Sequence, residues 1–150
     1  MATPNPGRIL VVDDQENLCW VLSKVLSGLG HEVRTALSGA HALRTLETFD
    51  CQVAAVDYRL PDWDGLQLVG EMTSRRPRLQ AILMTSYGDA ALHRRVAAQQ
   101  LFAYVDKPFS NDLMIDSIEE AIRVWRTGGD SFEPGMHART RFPGRTDVGT

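Results

Sequence analysis

The chain has 150 residues, 43% of them hydrophobic, and a formal charge of −3. That length supports one cored domain and is too short for two sizeable ones. The charge, with a pI near 5.8, argues against a dedicated nucleic-acid or membrane-surface binder, and no apolar run approaches the roughly 20 residues that span a bilayer.

Residues 1–7 lack the apolar stretch of a signal peptide and read as a flexible N-terminus. Residues 8–12 then predict a strand, continuously apolar from Ile9 to Val12 as expected of a strand covered on both faces, and it ends at Asp13 and Asp14. Leu18, Val21, Leu22, Val25, Leu26 and Leu29 recur at helical spacing and predict a broad buried stripe. Gly28 and Gly30 punctuate its end. Residues 31–36 predict a second strand, mixed enough to be an edge. Ser38 offers a cap for a helix running to about Phe49, with Leu43 and Leu46 inward.

Residues 51–56 predict the central strand, which ends at Asp57. Pro61 and Gly65 make 59–65 a loop. A helix follows to about Arg76, with Leu66, Val69 and Met72 on one side and Pro77 closing it. Residues 79–84 predict a fourth strand that delivers Thr85. Residues 89–99 read as a weak fourth helix, and 101–105 as a fifth strand ending at Asp106-Lys107-Pro108. Ile115, Ile118, Ile122 and Trp125 give a fifth helix its stripe.

The alternation of strand and helix predicts an α/β fold with a doubly wound, five-stranded parallel sheet and five helices. The domain is expected over 8–126. From 127 to 150 the texture becomes glycine-rich and aperiodic, predicting a flexible tail or linker. Cys19 and Cys51 have no metal-ligand spacing, and a reduced pair in a cytoplasmic protein is expected. His31, His41, His93 and His137 show no ligand spacing either.

Parallel strands place their carboxyl ends on one sheet edge, where open α/β sheets hold ligands. Asp13, Asp14, Asp57 and Lys107 therefore converge. Such carboxylates either bind a hard divalent cation or share a proton. Mg²⁺ suits the case, because it takes one or two protein carboxylates and keeps positions for water and phosphate oxygens. Asp57 can then act as a nucleophile toward phosphorus, while Lys107 and the Thr85 hydroxyl match a phosphoryl group with three oxygens. Capping of the first helix by Asp13 or Asp14 is the plainer alternative, though two adjacent acids exceed what a cap needs.

This constellation resembles the receiver domain of two-component response regulators. The matching pieces are Val11-Val12-Asp13-Asp14, Asp57 with Leu60-Pro61-Asp62-Trp63-Asp64-Gly65, Met84-Thr85-Ser86, and Tyr104-Val105-Asp106-Lys107-Pro108-Phe109. The resemblance covers roughly residues 7 to 126 and implies a flavodoxin-like strand order of 2-1-3-4-5. It implies that Asp57 is the phosphoacceptor, that Asp14 is a direct Mg²⁺ ligand and that Asp13 helps through water. The Arg59 backbone carbonyl would complete the protein's share of the coordination sphere. Lys107 would pair with the acids and then with the phosphoryl group. Thr85 would be the switch hydroxyl and Tyr104 the switch aromatic, and the Lys107–Pro108 bond would be cis.

The implied phosphoryl donor is a sensor histidine kinase or a histidine phosphotransfer protein. It would dock on Gln15, Asn17, Leu18, Val21 and Pro108. The implied output surface is the fourth helix, fifth strand and fifth helix, including His93, Arg94, Arg95, Gln99 and Tyr104. It would engage an unknown downstream protein, pass phosphate along a phosphorelay, or form a phosphorylation-dependent dimer. Direct nucleic-acid binding and membrane association are not expected. Arg59 and Tyr87 flank the route of attacking water and are expected to tune the lifetime of the phosphorylated state. Trp63 reads as loop packing, and Trp20 lies just off the core stripe. The chain is expected to catalyse only its own phosphorylation and dephosphorylation. A stand-alone receiver is the most economical reading. The alternatives are a receiver fragment of a larger transcription regulator, a Mg²⁺-dependent phosphatase with an aspartate nucleophile, and a flavodoxin-like cofactor binder.

Overall fold

A computed structural model of the protein describes residues 2–86, 94–95 and 101–128. One parallel sheet contains β1 (Arg8–Val12), β2 (Glu32–Ala36), β3 (Val53–Asp57), β4 (Gln80–Thr85) and β5 (Ala103–Asp106). The strand order is β2-β1-β3-β4-β5, so β2 is an edge, as expected. Four helices appear among the described residues: α1 (Glu16–Gly28), α2 (Gly39–Leu46), α3 (Gly65–Arg75) and α4 (Asn111–Arg126). The helix expected over 89–99 lies outside the described residues except for Arg94 and Arg95, so α4 is the helix the sequence predicts as the fifth.

Alternate strand residues enter two separate cores, as the two-residue period of a strand requires. Leu10, Val12, Ala54, Val56 and Leu83 face α2 and α3, where they meet Leu46, Leu66, Val69 and Met72. Ile9, Val11, Val53, Ala55, Ile82 and Met84 face α1 and α4, where they meet Leu22, Leu26, Ile118 and Ile122. Burying both sets explains why β1 and β3 read as unbroken apolar runs.

Several expectations need correction. The buried face of α1 is centred on Cys19, Leu22 and Leu26. Val21, expected on that face, is 40% exposed, because it is rotated about 100° from Leu22 around the helix. Trp20, just off the core stripe, is 63% exposed with the Lys24 ammonium over its ring. Helix α2 stops at Leu46, where Glu47 and Thr48 tighten to carbonyls three residues back. Phe49 is still buried, and its inward position had extended the apparent period. Strand β3 starts at Val53 rather than residue 51, since the Cys51 N–H closes a turn onto Phe49. In α4 the fully buried residues are Met114, Ser117, Ile118, Ala121 and Ile122. Trp125 lies at the rim instead, its ring centroid 4.0 Å from the Arg78 guanidinium carbon.

The N-terminal segment makes backbone contacts to the domain. Thr3 N–H donates to Leu29 O at 2.7 Å, and Gly7 N–H donates to His31 Nδ1 at 3.0 Å. With Nδ1 accepting, His31 Nε2–H donates to Glu119 at 2.9 Å, so the ring is a neutral tautomer joining the N-terminus, β2 and α4. Both cysteines are free and buried. Burial pushes the thiol of Cys19 up to about 11 and that of Cys51 up to about 12, which makes them structural rather than reactive groups.

Candidate functional site

The site lies at the carboxyl edge of the sheet, and backbone hydrogen bonds carry the ladder past the strand ends to its residues. Asp13 N–H bonds Ala36 O at 3.0 Å, Tyr58 N–H bonds Met84 O at 2.7 Å, and Lys107 N–H bonds Thr85 O at 2.7 Å. The pairings Asp57–Met84 and Thr85–Asp106 put the ends of β3, β4 and β5 side by side, with β1 adjacent to β3. This is the point where the strand order reverses, where such sheets place ligands.

Asp13, Asp14 and Asp57 each offer a carboxylate oxygen within 4.8 Å of the others. Lys107 Nζ lies 2.6 Å from Asp13 Oδ2 and 3.2 Å from Asp57 Oδ1. It also donates to Gln15 Oε1 at 3.3 Å. Asp13 is fully buried and Asp14 exposed. Neither caps α1, whose N-cap is Gln15; Asp13 Oδ1 accepts the Gln15 N–H at 2.9 Å instead. The capping alternative therefore fails, and both acids face the crevice cluster.

Three carboxylates face one ammonium, and the imbalance registers on Asp57. Burial, then the Asp13 charge, push its carboxyl from 3.8 up to about 6, against the opposing pull of Lys107. Burial alone would lower the Lys107 ammonium, but the Asp13 hydrogen bond and the Asp57 charge hold it above its ordinary value. A site that leaves its acids under-compensated and supplies only hard oxygen donors fits a small divalent cation.

Thr85 is buried beside this cluster at the end of β4, and Tyr104 on β5 is 6% exposed. Tyr104 belongs to the core on the α2–α3 side. The Lys107–Pro108 peptide is cis. Arg59 is exposed, its guanidinium 5.8 Å from the Tyr58 ring centroid. Gln15, Asn17, Leu18, Val21 and Pro108 line one groove of about 510 Å³ with Lys107 in its wall. Tyr87, His93 and Gln99 lie outside the described residues.

The loop after Asp57 is held more tightly than its sequence reveals. Gly65 N–H donates to Tyr58 O at 2.7 Å, and a Cβ at Gly65 would overlap Asp57 O and Tyr58 Cα. Only glycine permits that approach. Asp62 accepts the N–H groups of Gly39 and Ala40 at 2.8 and 3.0 Å. Trp63 packs over Gly39, in keeping with its reading as loop packing. Asp64 caps α3 through Leu66 N–H. Its other oxygen receives Arg95 at 2.8 Å, and Arg95 also donates to the Tyr58 hydroxyl at 2.9 Å. Burial works against the Asp64 charge, yet the Arg95 hydrogen bond and two backbone N–H groups hold its carboxyl below the ordinary range. The Asp before Gly65 was a readable cap signal. Nothing in the sequence pairs it with a residue 31 positions downstream.

A family model described as the response regulator receiver domain matches residues 9–119. The DNA-binding transcriptional regulator NtrC of Escherichia coli K12 is 35% identical over 116 residues, covering 77% of this chain and 25% of that protein. Regulatory protein AtoC of the same strain is 32% identical over 151 residues, covering 95% of this chain and 33% of that protein. The crystal structure of a CheY-like response regulator receiver domain protein from Methanospirillum hungatei JF-1 matches with a TM-score of 0.78 at 25% identity, over 82% of this chain and 98% of that one. The chain thus spans between a quarter and a third of the length of these curated relatives. No described helix is long and apolar enough to cross a membrane.

Proposed function

The chain belongs to the response regulator receiver domain family, and from that premise we propose that it is a phosphoacceptor switch whose Asp57 takes a phosphoryl group from a histidine on a sensor kinase or phosphotransfer protein. The observation that carries this reading is the Lys107 ammonium lying between Asp13 and Asp57 at the sheet edge. An Asp57 oxygen attacks phosphorus, the O–P bond forms as the N–P bond breaks, and the imidazole nitrogen keeps the electron pair. Asp14 and Asp57, with the Arg59 backbone carbonyl, would hold Mg²⁺ directly, and Asp13 would hold it through water. A bound ion there supplies charge neutralisation for the transferring oxygens. Lys107 steadies the acceptor and then pairs with the phosphoryl group, and the Thr85 hydroxyl donates to it. In this reading Thr85 and Tyr104 relay the change outward.

The groove lined by Gln15, Asn17, Leu18, Val21 and Pro108 opens beside Lys107, which supports it as the donor's docking surface. The chain catalyses only its own phosphorylation and dephosphorylation. Incubation with Mg²⁺ and a small acyl-phosphate donor tests the reading by intact mass. A gain of one phosphoryl group, lost in Asp57→Asn and on metal chelation, is the expected result. No gain in the wild-type protein, or an equal gain in Asp57→Asn, would falsify it. Turnover of added phosphoesters would instead favour an aspartate-nucleophile phosphatase.

A second reading concerns output. NtrC and AtoC are regulators three to four times as long as the aligned part, which favours this sequence acting as the receiver portion of a transcription regulator. The mass of the chain in its native cell separates that from a receiver acting alone through a protein partner or phosphorelay.

A further inference from the structure

One acid of the loop after Asp57 takes no place in the crevice. The carboxylates that converge among the described residues are those of Asp13, Asp14 and Asp57, whereas Asp62 turns to the amino end of α2. Its Oδ1 accepts the Gly39 N–H at 2.8 Å and its Oδ2 the Ala40 N–H at 3.0 Å. The Ser38 hydroxyl accepts the next one, from His41, so the loop and the residue before α2 share the capping of one helix. The Ala40 N–H holds the Asp62 carboxyl below its ordinary range; burial opposes this and the Gly39 N–H assists. Shape reinforces the contact. Trp63 lies so close over Gly39 that a Cβ there would overlap its ring.

We infer that Asp62 is a positioning residue for the cation: by anchoring the loop on α2 it presets the Arg59 backbone, whose carbonyl completes the Mg²⁺ site. The inference rests on the proposed reading of Asp57 as a metal-assisted phosphoacceptor. The route from Asp62 to Arg59 is short and stiff. Arg59 and Asp64 bridge as antiparallel partners, and the Leu60 N–H bonds Trp63 O at 3.3 Å. Pro61, between Leu60 and Asp62, has a fixed φ. At the base, Tyr58 N–H is pinned to Met84 O and Gly65 N–H to Tyr58 O. Residues 58–65 therefore form a closed loop, held at its base by β4 and at its turn by α2. Without the Asp62 carboxylate the turn loses its polar anchor, and two N–H groups at the head of α2 pass to water. The loop then spends only part of its time in the arrangement that suits the ion, and apparent Mg²⁺ affinity falls by that fraction.

The test uses the full chain and MgCl₂ alone, with affinity read by titration calorimetry and stability by urea unfolding. Asp62→Ala is expected to bind Mg²⁺ about ten-fold more weakly than wild type, the lower end of what a group that orients a metal ligand commands. Asp62→Asn keeps an acceptor oxygen for one of the two N–H groups, so it should fall between wild type and Asp62→Ala. Both losses should persist in high salt. Asp62 is exposed, so both variants are expected to fold; if Asp62→Ala does not, the loss in Asp62→Asn and its persistence in salt decide the matter. A role through charge alone predicts equal losses in the two variants that shrink as salt screens the site, and that result overturns the positioning role. A lowered urea midpoint with wild-type Mg²⁺ affinity in both variants overturns it too, as a merely structural contact. Either failure leaves wild-type binding intact, whereas no Mg²⁺ binding by the wild-type protein overturns the metal-assisted phosphoacceptor reading and the role of Asp62 with it.

Discussion

Lys107 Nζ lies closer to the buried Asp13, at 2.6 Å, than to Asp57, at 3.2 Å. The lysine thus bonds Asp13 more closely than Asp57, and Asp57 keeps a raised pKa despite a cation beside it. The raised carboxyl of Asp57 makes its ionisation state readable in experiments on stability.

Asp57→Asn should stabilise the metal-free protein in a pH-dependent way. The folded carboxyl titrates near 6 against an ordinary 3.8, so the folded state binds the proton more tightly than the unfolded chain. Its contribution is fully favourable below about pH 4 and is lost as pH rises through about 6. The variant's advantage should be absent near pH 4, grow between pH 4 and 6, and level off above that at about 1–3 kcal/mol. Urea midpoints of both proteins in chelator across this range check it; an advantage largest in acid would contradict the assignment.

Adding Mg²⁺ should remove much of that difference. Cation binding raises the wild-type melting temperature at neutral pH by mass action and leaves Asp57→Asn little changed. Asp14 is exposed, so Asp14→Asn can weaken the cation by about ten-fold or more without disturbing the core. Calorimetric titration with MgCl₂ measures this directly.

Gly65→Ala should destabilise the fold by about 1–3 kcal/mol, the usual cost of forcing extra volume into a packed site. The added methyl meets Asp57 O and Tyr58 Cα, so the cost falls on the acceptor loop. The variant should also accept phosphate more slowly, measured by the rate of mass gain with an acyl-phosphate donor.

His31→Ala should cost about 1–3 kcal/mol, because it strands the buried Gly7 N–H and removes the partner of Glu119. The loss should leave phosphoryl acceptance unaffected once folding is corrected for, since the ring lies at the opposite end of β2. Chemical denaturation and the acceptance assay together check both halves.

Arg59→Ala and Tyr87→Ala should shorten the life of the phosphorylated state several-fold, if bulk at those positions screens Asp57 from water. Loss of phosphoryl mass with time measures it; equal half-lives in both variants and the wild type would remove screening as the explanation.

Most of the site was legible because its residues sit at strand ends. Val11-Val12-Asp13-Asp14 and Tyr104-Val105-Asp106-Lys107 each announce an apolar strand followed by chemistry, and parallel topology then forces convergence. Helix faces were less legible. The stripe including Val21 and that including Trp125 obeyed the right period but were centred wrongly. Cys19, Met114 and Ala121 are buried on these faces beside the large aliphatics that draw the eye.

What the sequence by itself determined is therefore the strand–helix alternation, the sheet-edge acids and lysine, and the family to which they belong, all of which depend on local period and on residue type at strand ends. Tertiary structure alone decided that Lys107 sits nearer Asp13 than Asp57, that Asp57 is pushed toward neutrality, that His31 bridges to Glu119, and that Arg95 reaches Tyr58 and Asp64. Those pairings join residues 31 to 94 positions apart, where no periodicity reaches, and they are chosen by which side chains the packed strands and helices bring within hydrogen-bond distance.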